Sequence, residues 1–343
     1  MSTYLKYAFL LFLSSYFVIS EPVAASEQKY AHFKSCELIA GQVISPCNIG
    51  YRTFGALNKA KSNAILVPTW YGGTSEGHAY LADAEYIDPK KFFIIIIDAL
   101  GNHISSSPSN SATQSNEKFP QFTMADLVSI QHRLLVEVLQ IEQLYAVVGL
   151  SMGGMQAFQF AVQYPEVSSK YAIAIASPRL ATFDIAHWTT RNKLLKQFLE
   201  CQCNAPLEVL AGIQLLGAVP EKLSLDIPRE IIATRINENA QRINMTTGKA
   251  WNQIRQTQAM LTHNIAMDFN NDMSLAASKV KGEFLIIVGA DDRVVTPQPA
   301  REFADLIDAN FIELDKDCGH ADPWCDASTF SNALTTFLDK KTK

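Results

Sequence analysis

No long basic run interrupts the 343-residue chain, whose 29 Lys and Arg against 34 Asp and Glu leave a formal charge of -5. Nucleic acid and anionic membranes are recognised through clustered cations, so neither is expected as a partner. Six cysteines are too few to staple a chain of this size; a hydrophobic core must hold it. The motifs H-E-x-x-H, paired C-x-x-C, G-x-x-x-x-G-K-[ST] and the glycine fingerprint for dinucleotides are all missing. No cofactor and no metal is therefore expected, and no histidine cluster near Cys201 and Cys203 completes a metal site. There is also no internal repeat and no low-complexity tract. Hydrophobic residues at 48% and charged residues at 18% exclude a disordered chain. The length fits two domains or one α/β domain carrying an insertion.

The first 25 residues have their own pattern. Lys6 precedes an uncharged apolar stretch at 7–19, and small residues follow at Val23, Ala24, Ala25 and Ser26. This is the layout of a secretory signal peptide, too short to span a bilayer. Cleavage is expected after Ala25, with Ser20 the alternative, leaving a periplasmic or secreted protein without a stable membrane anchor. A buried N-terminal helix or an uncleaved anchor is the competing reading. All six cysteines lie beyond the leader, and the even count suits an oxidising compartment. Cys36–Cys47 and Cys318–Cys325 are natural local pairs, whereas Cys201 and Cys203 are too close to be expected partners. Six buried thiols are the alternative.

Residues 27–60 alternate in short segments with Gly and Asn turns, as an antiparallel sheet edge does. Segment 92–97 (FFIIII) has no polar alternation, which suits a strand covered on both faces. Strands are also expected at 64–67, 144–148, 171–176, 284–288 and 311–314. Helices are expected at 124–139, 152–164, about 299–306 and about 328–338. Thr123 and Asp126 have the spacing of a capping box at the start of the first. Alternating β and α elements imply a mostly parallel sheet with helices on both faces. Between 177 and 283 helical segments dominate (192–199, 228–243, 249–261), and this stretch reads as a helical cap inserted into a domain spanning 27–343.

Gly149-Leu150-Ser151-Met152-Gly153 follows a strand and opens a helix. This is G-x-S-x-G in strand–turn–helix context, the pattern that presents a nucleophilic serine at a strand's carboxyl end. Its alternative is a plain glycine turn. A serine nucleophile needs a base, and the base needs an orienting carboxylate, in the order Ser, Asp, His. His320, in Asp317-Cys318-Gly319-His320, is the expected base; His263 falls in the helical insertion and reads as structural. Asp291 and Asp292 both follow the strand at 284–288, and Asp292 is preferred. Two backbone N–H groups must face the oxyanion. Met152 is one; Tyr71 is the other, with Trp70 next, in Pro68-Thr69-Trp70-Tyr71-Gly72-Gly73-Thr74.

Several of these segments resemble the homoserine O-acetyltransferase family of α/β-hydrolases. They are 149–156 (GLSMGGMQ) with Tyr164-Pro165-Glu166, 51–58 (YRTFGALN), Phe119-Pro120 and 123–126 (TMAD). Segment 65–74 (ILVPTWYGGT) looks more like a hydrolase branch of that superfamily. The resemblance implies the α/β-hydrolase fold and the triad Ser151, Asp292 and His320. In the transferases an aspartate directly after the catalytic histidine helps hold the amino acid. Here Ala321 intervenes before Asp322, and the arginine-rich substrate segment is not matched beyond Pro178-Arg179. An exported enzyme would also be separated from acetyl-CoA. The expected function is thus hydrolysis of a small ester or thioester through an acyl-enzyme on Ser151. Acyl transfer is the alternative on the same fold, and a catalytically silent binding protein the alternative of another class. A homodimer is compatible with all three.

Overall fold

The computed structural model describes residues 26–217, 223 and 225–340; the leader expected at 1–25 lies outside them. Eight strands form one sheet in the order β1-β4-β6-β5-β7-β8-β9-β10. The strands are β1 (Lys29–Phe33), β4 (Cys47–Phe54), β5 (Ala64–Pro68), β6 (Phe93–Ile97), β7 (Ala146–Leu150), β8 (Lys170–Ala174), β9 (Glu283–Gly289) and β10 (Asn310–Leu314). A two-residue pair, β2 (Cys36–Glu37) with β3 (Val43–Ile44), stands apart. From β6 to β10 every pairing is parallel. β4 runs antiparallel to β6, and β1 to β4, which is the edge read from residues 27–60. Four of the five β6 side chains are fully buried, because helices cover both faces.

The chain first winds one way, from β5 to β6, and then the other way, through β7, β8, β9 and β10. Loops leaving the carboxyl ends of β5 and β7 therefore diverge around a crevice, the usual place for a ligand in an open α/β sheet. On one face, α1 (Met124–Arg133), α2 (Met152–Gln163) and α8 (Gln298–Ile307) bury Leu127, Phe158, Phe160 and Phe303. On the other, α10 (Ala327–Asp339), which follows the single turn α9 (Asp322–Cys325), supplies Phe330, Leu334, Phe337 and Leu338. Thr123 caps α1 as the spacing implies: its hydroxyl accepts from the Asp126 amide, and the Asp126 carboxylate accepts from the Thr123 amide. The helix ends at Arg133 and passes into a π turn, Leu134–Val138, so the expected 124–139 helix is not one uniform α-helix.

Between β8 and β9 the described residues form α3 (Thr182–Cys201), α4 (Ala205–Leu216), α5 (Ile232–Arg242), α6 (Thr247–Leu261) and α7 (Met273–Ala277). Leu194, Leu195 and Phe198 of α3 pack with Leu207 and Leu210 of α4 and with Ile254 of α6, a small core of their own. Three features depart from expectation. β7 begins two residues later, because Leu144 reaches only Ser168 in an isolated bridge. α4 was not anticipated; its apolar residues run almost continuously, which hides the helical period. Cys201 and Cys203 are bridged to each other, as are Cys36–Cys47 and Cys318–Cys325. The left-handed Gln202 that ends α3 folds the two cysteines back to a Cα separation of 5.2 Å.

Candidate active site

β7 delivers Ser151 to the centre of the crevice. Ser151 has φ 54° and ψ -126°, a region that a residue with a side chain occupies only under constraint. The constraint is packing. A Cβ on Gly149 would stand 2.3 Å from the Gly153 carbonyl oxygen, and one on Gly153 would stand 2.3 Å from that of Pro68. Glycine at both positions lets β7, the start of α2 and the end of β5 close on one another, with Ser151 at the apex. The Ser151 N–H donates to the Ala174 carbonyl of β8, which ties the turn to the sheet.

His320 approaches from the loop after β10, in a short 3-10 turn, Gly319–Ala321. Its Nε2 lies 3.0 Å from Ser151 Oγ, and its Nδ1 lies 2.6 Å from Asp292 Oδ2. The other oxygen of Asp292 accepts from the amides of Val294 and Val295, at 2.8 and 3.0 Å. A carboxylate held by two amides accepts from Nδ1–H and leaves Nε2 as the acceptor for the serine hydroxyl. Asp292 is buried and Asp291 beside it is exposed. Of the two candidates after β9, it is Asp292 that meets the imidazole.

The loop carrying His320 is closed by the Cys318–Cys325 disulfide. Asp322 is 1% exposed, and its Oδ1 accepts from the Cys318 amide at 3.0 Å. Burial pushes its carboxyl up, while the backbone N–H groups of Cys318 and Lys316 pull it down. Asp322 braces the histidine loop from within, buried and already bonded to its backbone.

The turn after β5 lies against the start of α2, where Gln156 Nε2 donates to the Thr69 carbonyl. Within this turn most amides are spoken for. Trp70 N–H donates to His78 Nε2 at 3.1 Å, and Gly72 N–H to Gln256 Oε1 at 2.8 Å. The amides of Tyr71 and Met152 have no acceptor among the described residues. Trp70, the runner-up for the oxyanion site, is therefore excluded by its own hydrogen bond.

Sequence reasoning missed the supports of this turn. His78 packs on Trp70 with ring centroids 3.6 Å apart and shares its Nδ1 proton with the Thr74 carbonyl. Burial lowers its pKa to about 4, with the Thr74 bond opposing, so Nε2 stays an acceptor at neutral pH. Gln256, wholly buried on α6, joins the Gly72 amide to the Leu100 carbonyl. A lone histidine in a loop and a lone glutamine in a helix carry no motif; only their partners identify them. His263 is structural, as expected: it is buried against the Ser177 carbonyl, and burial lowers its pKa to about 4.

Residues 65–326 match the family model of the alpha/beta hydrolase fold. Among curated proteins, the chain is 39% identical over 164 residues to a probable esterase from Corynebacterium glutamicum, an alignment covering 47% of each chain. It is 40% identical over 147 residues to an ethyl acetate hydrolase from Pseudomonas veronii, covering 42% of each. The matched stretch thus spans less than half the length of these two relatives. A homoserine O-acetyltransferase from Leptospira biflexa aligns at 28% identity over 342 residues, covering 87% of this chain and 89% of that one. Among solved structures, an acetylester hydrolase from Corynebacterium glutamicum superposes with TM-score 0.80 at 24% identity, covering 92% of this chain and 96% of that one. A homoserine O-acetyltransferase from Bacillus anthracis gives 0.82 at 24%, covering 92% and 98%. At such identities the superpositions speak to the fold.

Proposed function

The chain belongs to the alpha/beta hydrolase fold family, and on that premise we propose that it is an exported serine hydrolase that cleaves a small acyl ester. The observation that carries this reading is the continuous line from Ser151 Oγ to His320 Nε2 (3.0 Å) and from His320 Nδ1 to Asp292 (2.6 Å), beside two amides with no acceptor among the described residues. Ser151 Oγ attacks the ester carbonyl while His320 Nε2 takes its proton. Asp292 fixes the tautomer and stabilises the imidazolium. The oxyanion accepts from the N–H groups of Met152 and Tyr71. His320 returns the proton to the departing alkoxide, leaving an acyl group on Ser151. A water molecule, deprotonated by His320, then releases the acid and restores the serine.

Water as the acceptor is supported by the buried, already bonded state of Asp322 and by the esterases among the relatives. Export is supported by the leader-like composition of residues 1–25 and by six cysteines paired in three disulfides. The second reading, acyl transfer, is favoured by the length of the alignment with the Leptospira transferase. The deciding assay compares an acetyl ester in water with acetyl-CoA plus L-homoserine. Hydrolysis of the ester without saturable formation of O-acetylhomoserine is expected; efficient O-acetylhomoserine formation would overturn the hydrolase in favour of the transferase.

A further inference from the structure

His263 uses only one of its two ring nitrogens. The residue lies just past the end of α6 and is 4% exposed. Its Nε2 stands 3.0 Å from the Ser177 carbonyl oxygen, on the segment leaving β8. A carbonyl only accepts, so Nε2 carries the proton and Nδ1 presents a lone pair. Burial holds the ring's pKa near 4, with the Ser177 bond opposing, so at neutral pH the ring is uncharged and Nδ1 remains an acceptor. That Nδ1 is buried and meets no donor among the described residues. Buried polar atoms are nearly always paired, which leaves this one open to an occupant from outside the chain.

His263 lines a cavity of about 200 Å³ between the start of α1, the end of α2 and the chain after α6. None of Ser151, Asp292 and His320 borders it. Met124, Val162 and Phe269 give it an apolar wall, and Met267, also in the wall, is 56% exposed, so the cavity reaches solvent. Its polar side chains are already bonded: Thr123 to Asp126, Gln163 to Ser129 and the Ala125 carbonyl, Asn264 to Asn271 and the Ala266 amide. A buried water needs about two to four polar partners, and this wall leaves His263 Nδ1. A dry apolar cavity of roughly 150 Å³ takes up a benzene ring. The occupant that fits is therefore a hydrocarbon body of that size with a single donor. An ammonium group would bury a charge against one lone pair, and an amide would bury a carbonyl with no donor to meet it. A hydroxyl avoids both costs.

We propose that this cavity binds a small neutral alcohol or phenol, whose hydroxyl donates to His263 Nδ1 while its body packs on Met124, Val162 and Phe269. No triad residue takes part, so the inference does not rest on the hydrolase reading. The site nevertheless touches the frame of the elbow. Ser177 stands three residues beyond Ala174, whose carbonyl accepts the Ser151 N–H. A proton donated to Nδ1 polarises the ring and strengthens the bond from Nε2–H to the Ser177 carbonyl, so an occupant tightens the segment beside the nucleophile.

The test titrates the whole protein with benzyl alcohol and with toluene, which has the same ring and no donor. Calorimetry reads the affinity, and the nitrogen resonance of His263 Nδ1, assigned by its loss in His263→Gln, reads the place. Benzyl alcohol is expected to bind saturably, about tenfold tighter than toluene, the weight of one hydrogen bond, and to shift the Nδ1 resonance. Val162→Phe and Ala125→Leu each fill the cavity from a half-buried position in its wall, and each should abolish the binding; with two such variants the test survives if one fails to fold. Equal affinity for the two probes would show that no hydrogen bond anchors the ligand. Binding kept in a folded, filled variant would place the probe elsewhere on the protein. No binding up to the solubility limit of benzyl alcohol would leave the cavity to water. Any of these three results overturns the inference.

Discussion

The two oxygens of Asp292 have separate tasks: one is occupied by the amides of Val294 and Val295, and the other meets His320. An amide in its place would keep the backbone bonds and present the wrong group to Nδ1. Asp292→Asn should therefore lower kcat by about 10⁴-fold, the loss seen when a triad loses its orienting charge, with the fold intact. Asp291 is exposed, and Asp291→Asn should stay near wild-type turnover. The reverse pattern would move the acid by one residue. A different residue-scale prediction concerns acid stability. His263 has a pKa near 4 in the folded protein against 6.5 when free. Between pH 6.5 and 4 the unfolded chain binds a proton that the folded chain refuses, so stability falls as pH drops through that window and is flat above it. The cost is on the order of 3 kcal/mol by pH 4. His263→Gln, whose amide can still reach the Ser177 carbonyl, should flatten the decline of Tm over that window; parallel curves for the two proteins would refute it.

At the scale of elements, the stretch from Cys318 to Cys325 carries His320 within a loop closed by the disulfide and braced by Asp322. Closing so short a loop stabilises by about 2–3 kcal/mol in the chain-entropy picture. The double variant Cys318→Ser with Cys325→Ser should lower Tm and reduce kcat more than it changes KM, because the base loses its fixed approach to Ser151. Unaltered kcat in the folded double variant would show that Asp322 alone suffices. Elements with a clear physical signature were legible in the sequence. The capping box at Thr123 and Asp126, the β-branched run of β6, and the elbow around Ser151 each follow from local chemistry. What stayed hidden depends on chain segments far apart. α4 is apolar on most sides, so no period marks it. The pairing of Cys201 with Cys203 needs the left-handed turn at Gln202. His78 and Gln256 act only through partners in the β5 turn.

For the whole molecule, the order of strands places the site. β5 and β7 are neighbours from which the chain winds in opposite directions, and their diverging loops bring Tyr71, Ser151 and Met152 to one crevice. β9 and β10 then deliver Asp292 and His320 from the same end of the sheet. Alternation of strands and helices was enough to anticipate this architecture; the arrangement of α3 to α7 over the site was not, because periodicity gives helices but not their directions. The proposed export adds one expectation. Protein recovered from the cell envelope should begin after Ala25 in intact-mass measurement, and an unprocessed Met1 in a cytoplasmic form would contradict it.

The central claim is that Ser151 is a nucleophile activated by His320 and Asp292. Its most direct test is fluorophosphonate labelling followed by peptide mass spectrometry on the wild type and on His320→Ala. The account predicts a single stoichiometric adduct on Ser151 that is lost, or slowed by several orders of magnitude, without the histidine. A folded wild-type protein that takes up no label, or that takes it up on another serine, would contradict it.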